Sequence, residues 1–225
     1  MSVGARLEAI LARIAQAATG AARSASEVKL VAVSKAQPPT AIREAYAAGQ
    51  RAFGESYAQE LAAKAEALAD LGDIEWHFIG HLQTNKAKIV ARPAHVVHSV
   101  DSEVLARELG KRAAREATSV LPVFVEVNVA REPQKAGATP SEIEEVMRAV
   151  RAEPSLALRG LMTLAPAGDL EAARSVFGAL ATLRNLHGGP DALPELSMGM
   201  SADFETAIEC GSTCVRVGTA IFGER

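Results

Sequence analysis

The chain is poor in cysteine and in aromatic residues. Only two of its 225 residues are cysteines, which excludes a disulfide-stapled scaffold and a four-thiolate zinc site. Aromatics make up 4%, so the core must be built from Ala, Val, Leu and Ile. An excess of one charge is missing too. The 24 Lys and Arg stand against 27 Asp and Glu, a net charge of −3, and neither end carries a charge block. That argues against a general nucleic-acid or acidic-membrane binder. No run of eighteen apolar residues exists, so no membrane span is expected. The opening MSVGARLEAILARIAQA does not read as a signal peptide, because Arg6, Glu8 and Arg13 interrupt any apolar stretch. A cytoplasmic location is the expectation. GxGxxG, GxxxxGK[ST], G-x-S-x-G and HExxH are all absent.

What is present is an alternation. Short β-branched runs are each followed by a polar or glycine-bearing turn and then by an amphipathic Ala/Glu/Arg stretch, the rhythm of βα units around a parallel sheet. The expected strands are 29–33, 51–53, 75–79, 95–99, 122–129, 157–163, 195–198 and 214–217. Before them, Val3, Leu7, Ile10, Leu11 and Ile14 form one apolar stripe of a helix that ends at Gly20. Further helices are expected over 40–48, with Thr40 as N-cap, and over 57–69 and 102–117. Others are expected over 169–187 and 202–210, with a short one over 83–90. Thr139-Pro140-Ser141-Glu142 reads as a capping box opening a helix through Val150. Eight units in 225 residues leave about 28 residues each, enough for a single-domain (β/α)8 TIM barrel over 1–225 with an extra N-terminal helix. The rival is an open doubly wound sheet, which lacks its usual glycine fingerprint here.

Nearly every unusual polar or glycine cluster follows a strand, so in a barrel these clusters converge on the C-terminal face, where ligands bind. Lys35 closes KLVAVSK. Partial desolvation there lowers a lysine's pKa and makes its amine available for an imine with a carbonyl compound. The alternative is a structural ion pair with Glu55 or Asp101. Ser201 and Gly218-Thr219 follow the last two strands and offer hydroxyl and backbone donors suited to phosphate. The plainer reading makes Ser201 the N-cap of the 202–210 helix and Gly218 an ordinary turn. Arg216 lies inside the last strand and, if it points inward, must meet an acceptor: a ligand ring nitrogen, a phosphate or a wall carboxylate. His77 and His81 are separated by the helix-breaking Gly80, and no third ligand accompanies them, so no metal site is expected. Cys210 and Cys214 read as buried small hydrophobes, and Trp76 and Phe78 as strand packing.

Taken together, KLVAVSK, FGESYAQE, WHFIGHLQTNK, LMT, LSMGMSADFETAI and VRVGTAIFGER resemble the YggS/PROSC family of pyridoxal phosphate homeostasis proteins along the whole chain. The resemblance implies a barrel like that of alanine racemase, with pyridoxal 5′-phosphate held as an imine on Lys35. It implies phosphate ligands at Ser201, Gly218 and Thr219, with Met200 beside them, and Arg216 facing the pyridine nitrogen. A permanent cation there disfavours protonating that nitrogen and makes the ring a poorer electron sink. Where the family carries asparagine in GENY, this chain has Ser56 in GESY. Serine is shorter and offers a hydroxyl in place of the amide, which leaves room for a bridging water.

The resemblance also implies a non-catalytic carrier that buffers the cofactor and hands it to apo-enzymes. Only Glu224 and Arg225 follow Gly223, so no second domain, the usual source of a second acid/base group and of a dimer surface, is expected. A monomer follows from that. A weak amino-acid racemase, a lysine-dependent aldolase-type barrel and a pure interaction protein remain as alternatives.

Overall fold

The structure is a computed structural model that describes residues 1–116 and 119–223. Eight parallel strands close into a barrel in sequence order: β1 (Lys29–Val33), β2 (Ala52–Glu55), β3 (Glu75–Phe78), β4 (Val96–Val100), β5 (Leu121–Glu126), β6 (Leu156–Met162), β7 (Glu195–Ser197) and β8 (Cys214–Val217). The ring shuts where β1 meets β8, with Lys29 opposite Cys214 and Val31 opposite Arg216. All eight expected strands form. The fifth stops at Glu126, three residues short of its expected end; beyond it Val127 makes only an isolated bridge to Ala138.

The outer ring comprises α1 (Val3–Gly20), α2 (Pro39–Ala47), α3 (Ala58–Ala67), α4 (Ala87–Ala91), α5 (Glu103–Glu116), α6 (Ile143–Arg151), α7 (Leu170–Leu186), α8 (Gly189–Ala192), α9 (Phe204–Glu209) and α10 (Thr219–Phe222). Residue 117, the expected end of α5, lies outside the described residues. None of these helices is long and apolar enough to cross a membrane.

Helix α1 is the addition to the barrel. It buries Val3, Leu7, Ile10, Ile14 and Ala18 against α2, α9 and α10, across the β8–β1 closure. Each such aliphatic side chain contributes about 1.5–3 kcal/mol on burial. Leu11 belongs to the expected stripe but stands exposed, because the buried face is the narrower i, i+3/i+4 row through Ile10 and Ile14. Arg23, just past the helix, donates to the carbonyls of Ile208 and Ser212 and ties the segment to α9.

Two expected caps form differently. Thr40 lies inside α2, and Pro38 takes the N-cap position with Pro39 behind it, whose fixed φ suits the first turn. At 139–142 the Glu142 carboxylate accepts from the Thr139 N–H, but this closes a turn and α6 starts only at Ile143. Asp169 does cap α7, accepting from the N–H groups of Glu171 and Ala172.

Strand alternation sorts the side chains between two cores. On β3, Trp76 and Phe78 pack outward under the helices, while Glu75 and His77 point into the barrel. Small apolar layers fill part of the barrel, Val31 with Ala52 and Cys214, and Val96 with Phe124 and Met162. Buried polar side chains, among them His77, His98, Ser197, Arg216 and Glu126, share the interior with them.

Candidate functional site

A cavity of about 590 Å³ opens at the C-terminal mouth of the barrel. Its lining includes Lys35, Ser56, Met200, Ser201, Arg216, Gly218 and Thr219, all seven residues singled out from the sequence. His81, from the cluster after the third strand, lines it as well, and so do Glu126 and Lys135, which were not foreseen. The volume suits a ligand of cofactor size.

Lys35 follows β1 and is half-buried. The sequence left open an ion pair with Glu55 or Asp101, and the structure supplies other partners for both. Glu55 accepts from Lys64 Nζ at 2.8 Å and from Ser34 Oγ at 2.6 Å. His81 Nδ1 lies 3.5 Å from Asp101. Among the described residues Lys35 forms no salt bridge, so its amine is left to the cavity. The backbone beside it is held firmly. Lys64 Nζ also donates to the Ser34 carbonyl at 2.6 Å, and Ala36, at φ 59, is a non-glycine residue in the left-handed region. The Ala36 N–H donates to Glu60 Oε1, which Lys64 binds too. This network sets the direction in which Lys35 leaves the strand. Burial pushes the Glu55 carboxyl up, against the pull of Lys64 and Ser34.

Opposite β2, Gly80 allows the third loop to pass close by. A Cβ there would lie 2.1 Å from the Ser56 carbonyl oxygen, so no other residue fits without moving the Ser56 backbone at the cavity wall.

Ser201 corrects the expectation of a helix cap. The N-cap of α9 is Asp203, and the Ser201 hydroxyl instead accepts from the Gly218 N–H at 3.2 Å, joining the β7 and β8 loops. The chain turns earlier than expected because Asp203 Oδ1 accepts from the Met200 N–H at 2.6 Å. Gly199 makes this turn at φ 99, where a Cβ would also press on Ala207 and Phe204. Hydroxyls of Ser201 and Thr219 and the Gly218 backbone thus gather at one edge of the cavity.

Arg216 points inward, as the ligand reading required. It is 3% exposed, and its Nη2 donates to the Thr163 carbonyl at 3.0 Å while Nη1 donates to Ser197 Oγ. No carboxylate pairs with it among the described residues. Ser197 Oγ is 2.8 Å from His98 Nδ1, and His98 Nε2 is 2.8 Å from His77 Nδ1. His77 Nε2 then lies 3.3 Å from Glu75, though off the line of a hydrogen bond. The Glu75 carboxylate facing His77 Nε2 favours one polarity of the column, in which Ser197 donates to His98, His98 to His77, and His77 keeps its remaining N–H toward Glu75. Burial holds His98 well below its ordinary pKa and lowers His77 too, so both rings are neutral at pH 7. His77 and then Lys29 hold Glu75 down at about 2. The column runs from the cavity floor to the opposite barrel mouth, where Lys29 Nζ binds Glu75 at 2.9 Å. It keeps an unpaired cation in place with oriented neutral dipoles.

Of the two cysteines, Cys214 is buried inside the barrel, where burial pushes its thiol up to about 11. Cys210 is only half-buried, contrary to expectation, because it terminates the short α9.

Comparisons with known proteins bear on this arrangement. The family model of the alanine racemase N-terminal domain matches residues 6–225. The pyridoxal phosphate homeostasis protein of Aquifex aeolicus is 44% identical over 223 residues, 98% of this chain and 97% of that protein. The protein of the same name from Escherichia coli K12 is 43% identical over 220 residues, covering 95% and 92%. PipY of Synechococcus elongatus, solved with pyridoxal phosphate bound, is 36% identical. It has a TM-score of 0.83 over 99% of this chain and 100% of its own.

Proposed function

Since the chain belongs to the family of the alanine racemase N-terminal domain, we propose that it is a pyridoxal 5′-phosphate-binding protein of intracellular cofactor homeostasis. The observation that carries this reading is the convergence of an amine, a buried guanidinium and a cluster of hydroxyl and backbone donors on one cavity. The cofactor supplies an aldehyde that reacts reversibly with primary amines. Lys35 is the residue that would hold that aldehyde. Ser201, Gly218 and Thr219, with Met200 beside them, offer the donors for its phosphate. The Ser201–Gly218 hydrogen bond is one that an anion can replace without loss of pairing. Arg216 presents a permanent cation toward the ring nitrogen and keeps it unprotonated. Ser56 lies within reach through a water.

The fit rests on the structure's own chemistry. The local donors and the single arginine suit one phosphorylated aromatic ring, and the near-neutral net charge disfavours a large polyanion. In this reading residues 1–225 act as one domain, as a cytoplasmic monomer that stores the cofactor and passes it to apo-enzymes without catalysing a reaction of its own. The names of the relatives and a guanidinium that weakens the ring as an electron sink both support it.

The test is the visible absorption of protein mixed with pyridoxal phosphate, followed by borohydride reduction and peptide mass spectrometry. A visible band and a reduced pyridoxyl adduct on Lys35 are expected, with both lost in Lys35→Ala. An adduct that survives Lys35→Ala defeats the assignment. Solvent deuterium entering Cα of any amino acid, dependent on Lys35, would favour an enzyme instead.

A further inference from the structure

Glu126 ends β5 on the inner face of the barrel, 5% exposed, and lines the cavity. In a closed ring of eight strands in sequence order β5 stands opposite β1, so Glu126 faces the strand that carries Lys35. Its Oε2 has no hydrogen-bond partner. A buried carboxyl oxygen left without a partner is costly and rare in native interiors, and at a cavity wall it points to a ligand.

The surrounding groups do not satisfy it. From the end of β4 comes Asp101, a like charge, itself beside His81. From β6 comes Met162, which is apolar. From β8 comes Arg216, whose Nη1 and Nη2 donate to Ser197 and Thr163 and which forms no hydrogen bond or salt bridge with Glu126 among the described residues. From the loop after β5 comes Lys135, engaged by Glu132 at 2.6 Å and by the Leu164 carbonyl. A small cationic donor entering through the mouth would complete the site.

Building on the reading that Lys35 holds an aldehyde, we propose that Glu126 is the receptor for the ammonium group of an incoming primary amine and accepts its proton. The exchange then balances. The incoming R–NH3+ gives one proton to the Glu126 carboxylate and its free amine adds to the carbon double-bonded to Lys35 Nζ; the two protons left on the incoming nitrogen pass to Lys35 Nζ as the bond from that carbon to Nζ breaks and the double bond forms to the new nitrogen. The departing lysine amine takes the proton back from Glu126. No outside reactant is needed. Burial and then Asp101 raise the carboxyl to about 7, against the pull of Arg216, which suits a group that both takes and returns a proton near neutrality.

Two measurements test this. In protein without cofactor, infrared spectra of 13C-carboxyl-glutamate-labelled wild type are expected to contain a protonated carboxyl that titrates near pH 7 and is missing from Glu126→Gln. In cofactor-loaded protein, glycine is added and the Lys35 absorption band followed by stopped flow, with N,N-dimethylglycine as the control that cannot exchange. The wild-type rate should rise to about pH 7 and level off. Glu126→Gln should be slower by about 10²-fold and keep rising toward the pKa of the free amine, and Glu126→Asp should recover part of the loss. An unchanged rate and pH profile in Glu126→Gln, or no carboxyl titrating near pH 7, overturns the role of Glu126 alone. Absence of any visible band in wild type overturns the Lys35 reading as well.

Discussion

Replacing Glu126 by glutamine removes a charge and nearly preserves a shape, so its effect on stability should depend on pH in a way the structure dictates. The carboxyl titrates at about 7 in the fold against 4.5 in an open chain. Its folded pKa is raised, so the native state resists ionisation. Below about pH 4.5 both states are protonated and the group is neutral in the balance. Between 4.5 and 7 the unfolded chain ionises first and stability falls with rising pH. Above 7 the loss is complete. At about 1.4 kcal/mol per pKa unit the full loss is about 3 kcal/mol. Glu126→Gln abolishes it. Any fixed packing penalty of the amide is the same at every pH and cancels from the comparison. About 0.8 kcal/mol of the loss is already present at pH 5, so urea denaturation of both proteins at pH 5 and pH 8 should give a stability difference that moves in favour of the variant by about 2.5 kcal/mol on going to pH 8. For a chain of this length that is roughly 5–10 °C in melting temperature. A difference that stays constant between the two pH values would refute the premise that Glu126 is buried and unpaired.

Three further outcomes follow from the packing of the barrel and its outer helices. Lys64→Met leaves the Glu55 carboxyl buried without its cation and should destabilise the fold by about 3–5 kcal/mol, and the double variant Lys64→Met/Glu55→Leu should recover much of that in the same urea assay. Gly199→Ala places a Cβ 2.7 Å from Ala207 at φ 99, so calorimetry should give a lower melting temperature and fluorescence titration weaker cofactor binding. Gly20→Ala, at the open end of α1, should be neutral or stabilising by up to about 1 kcal/mol.

The barrel was legible because most strands are short apolar runs and nearly every following loop carries an unusual polar or glycine cluster; β2 (AFGE) and β7 (ELS), which hold no β-branched residue, were placed by the alternation itself. The gathering of Lys35, Ser201, Gly218 and Thr219 at one cavity was legible for the same reason, because all four sit just past strand ends. The caps were not. Thr40 and Ser201 have the right chemistry for N-caps, but Pro38-Pro39 and the Asp203–Met200 bond fix the first turn elsewhere, and those are choices of backbone path. Glu126, His98 and Glu75 were missed for a different reason. Strands of a parallel barrel are buried on both faces, so period-two alternation does not say which face looks inward. The available signal was a charged residue within PVFVEVNV, the same kind of signal that picked out Arg216 within VRV.

That shared signal ties the two buried charges together. Arg216 and Glu126 both line the cavity from inside the barrel, yet they do not neutralise each other, because Ser197 and Thr163 occupy the guanidinium. A direct ion pair would have closed the cavity floor to ligands and silenced both groups. Holding the arginine with neutral acceptors keeps its charge directed at whatever enters from above. It also leaves the Glu126 carboxyl raised by burial and then by Asp101 to about 7. The histidine column behind Ser197 has a purpose in this light. Two buried imidazoles, His98 and His77, hold the serine oxygen toward the guanidinium and bring no anion into contact with it. The same strands that close the barrel thereby separate a fixed positive charge from a switchable negative one within a single cavity.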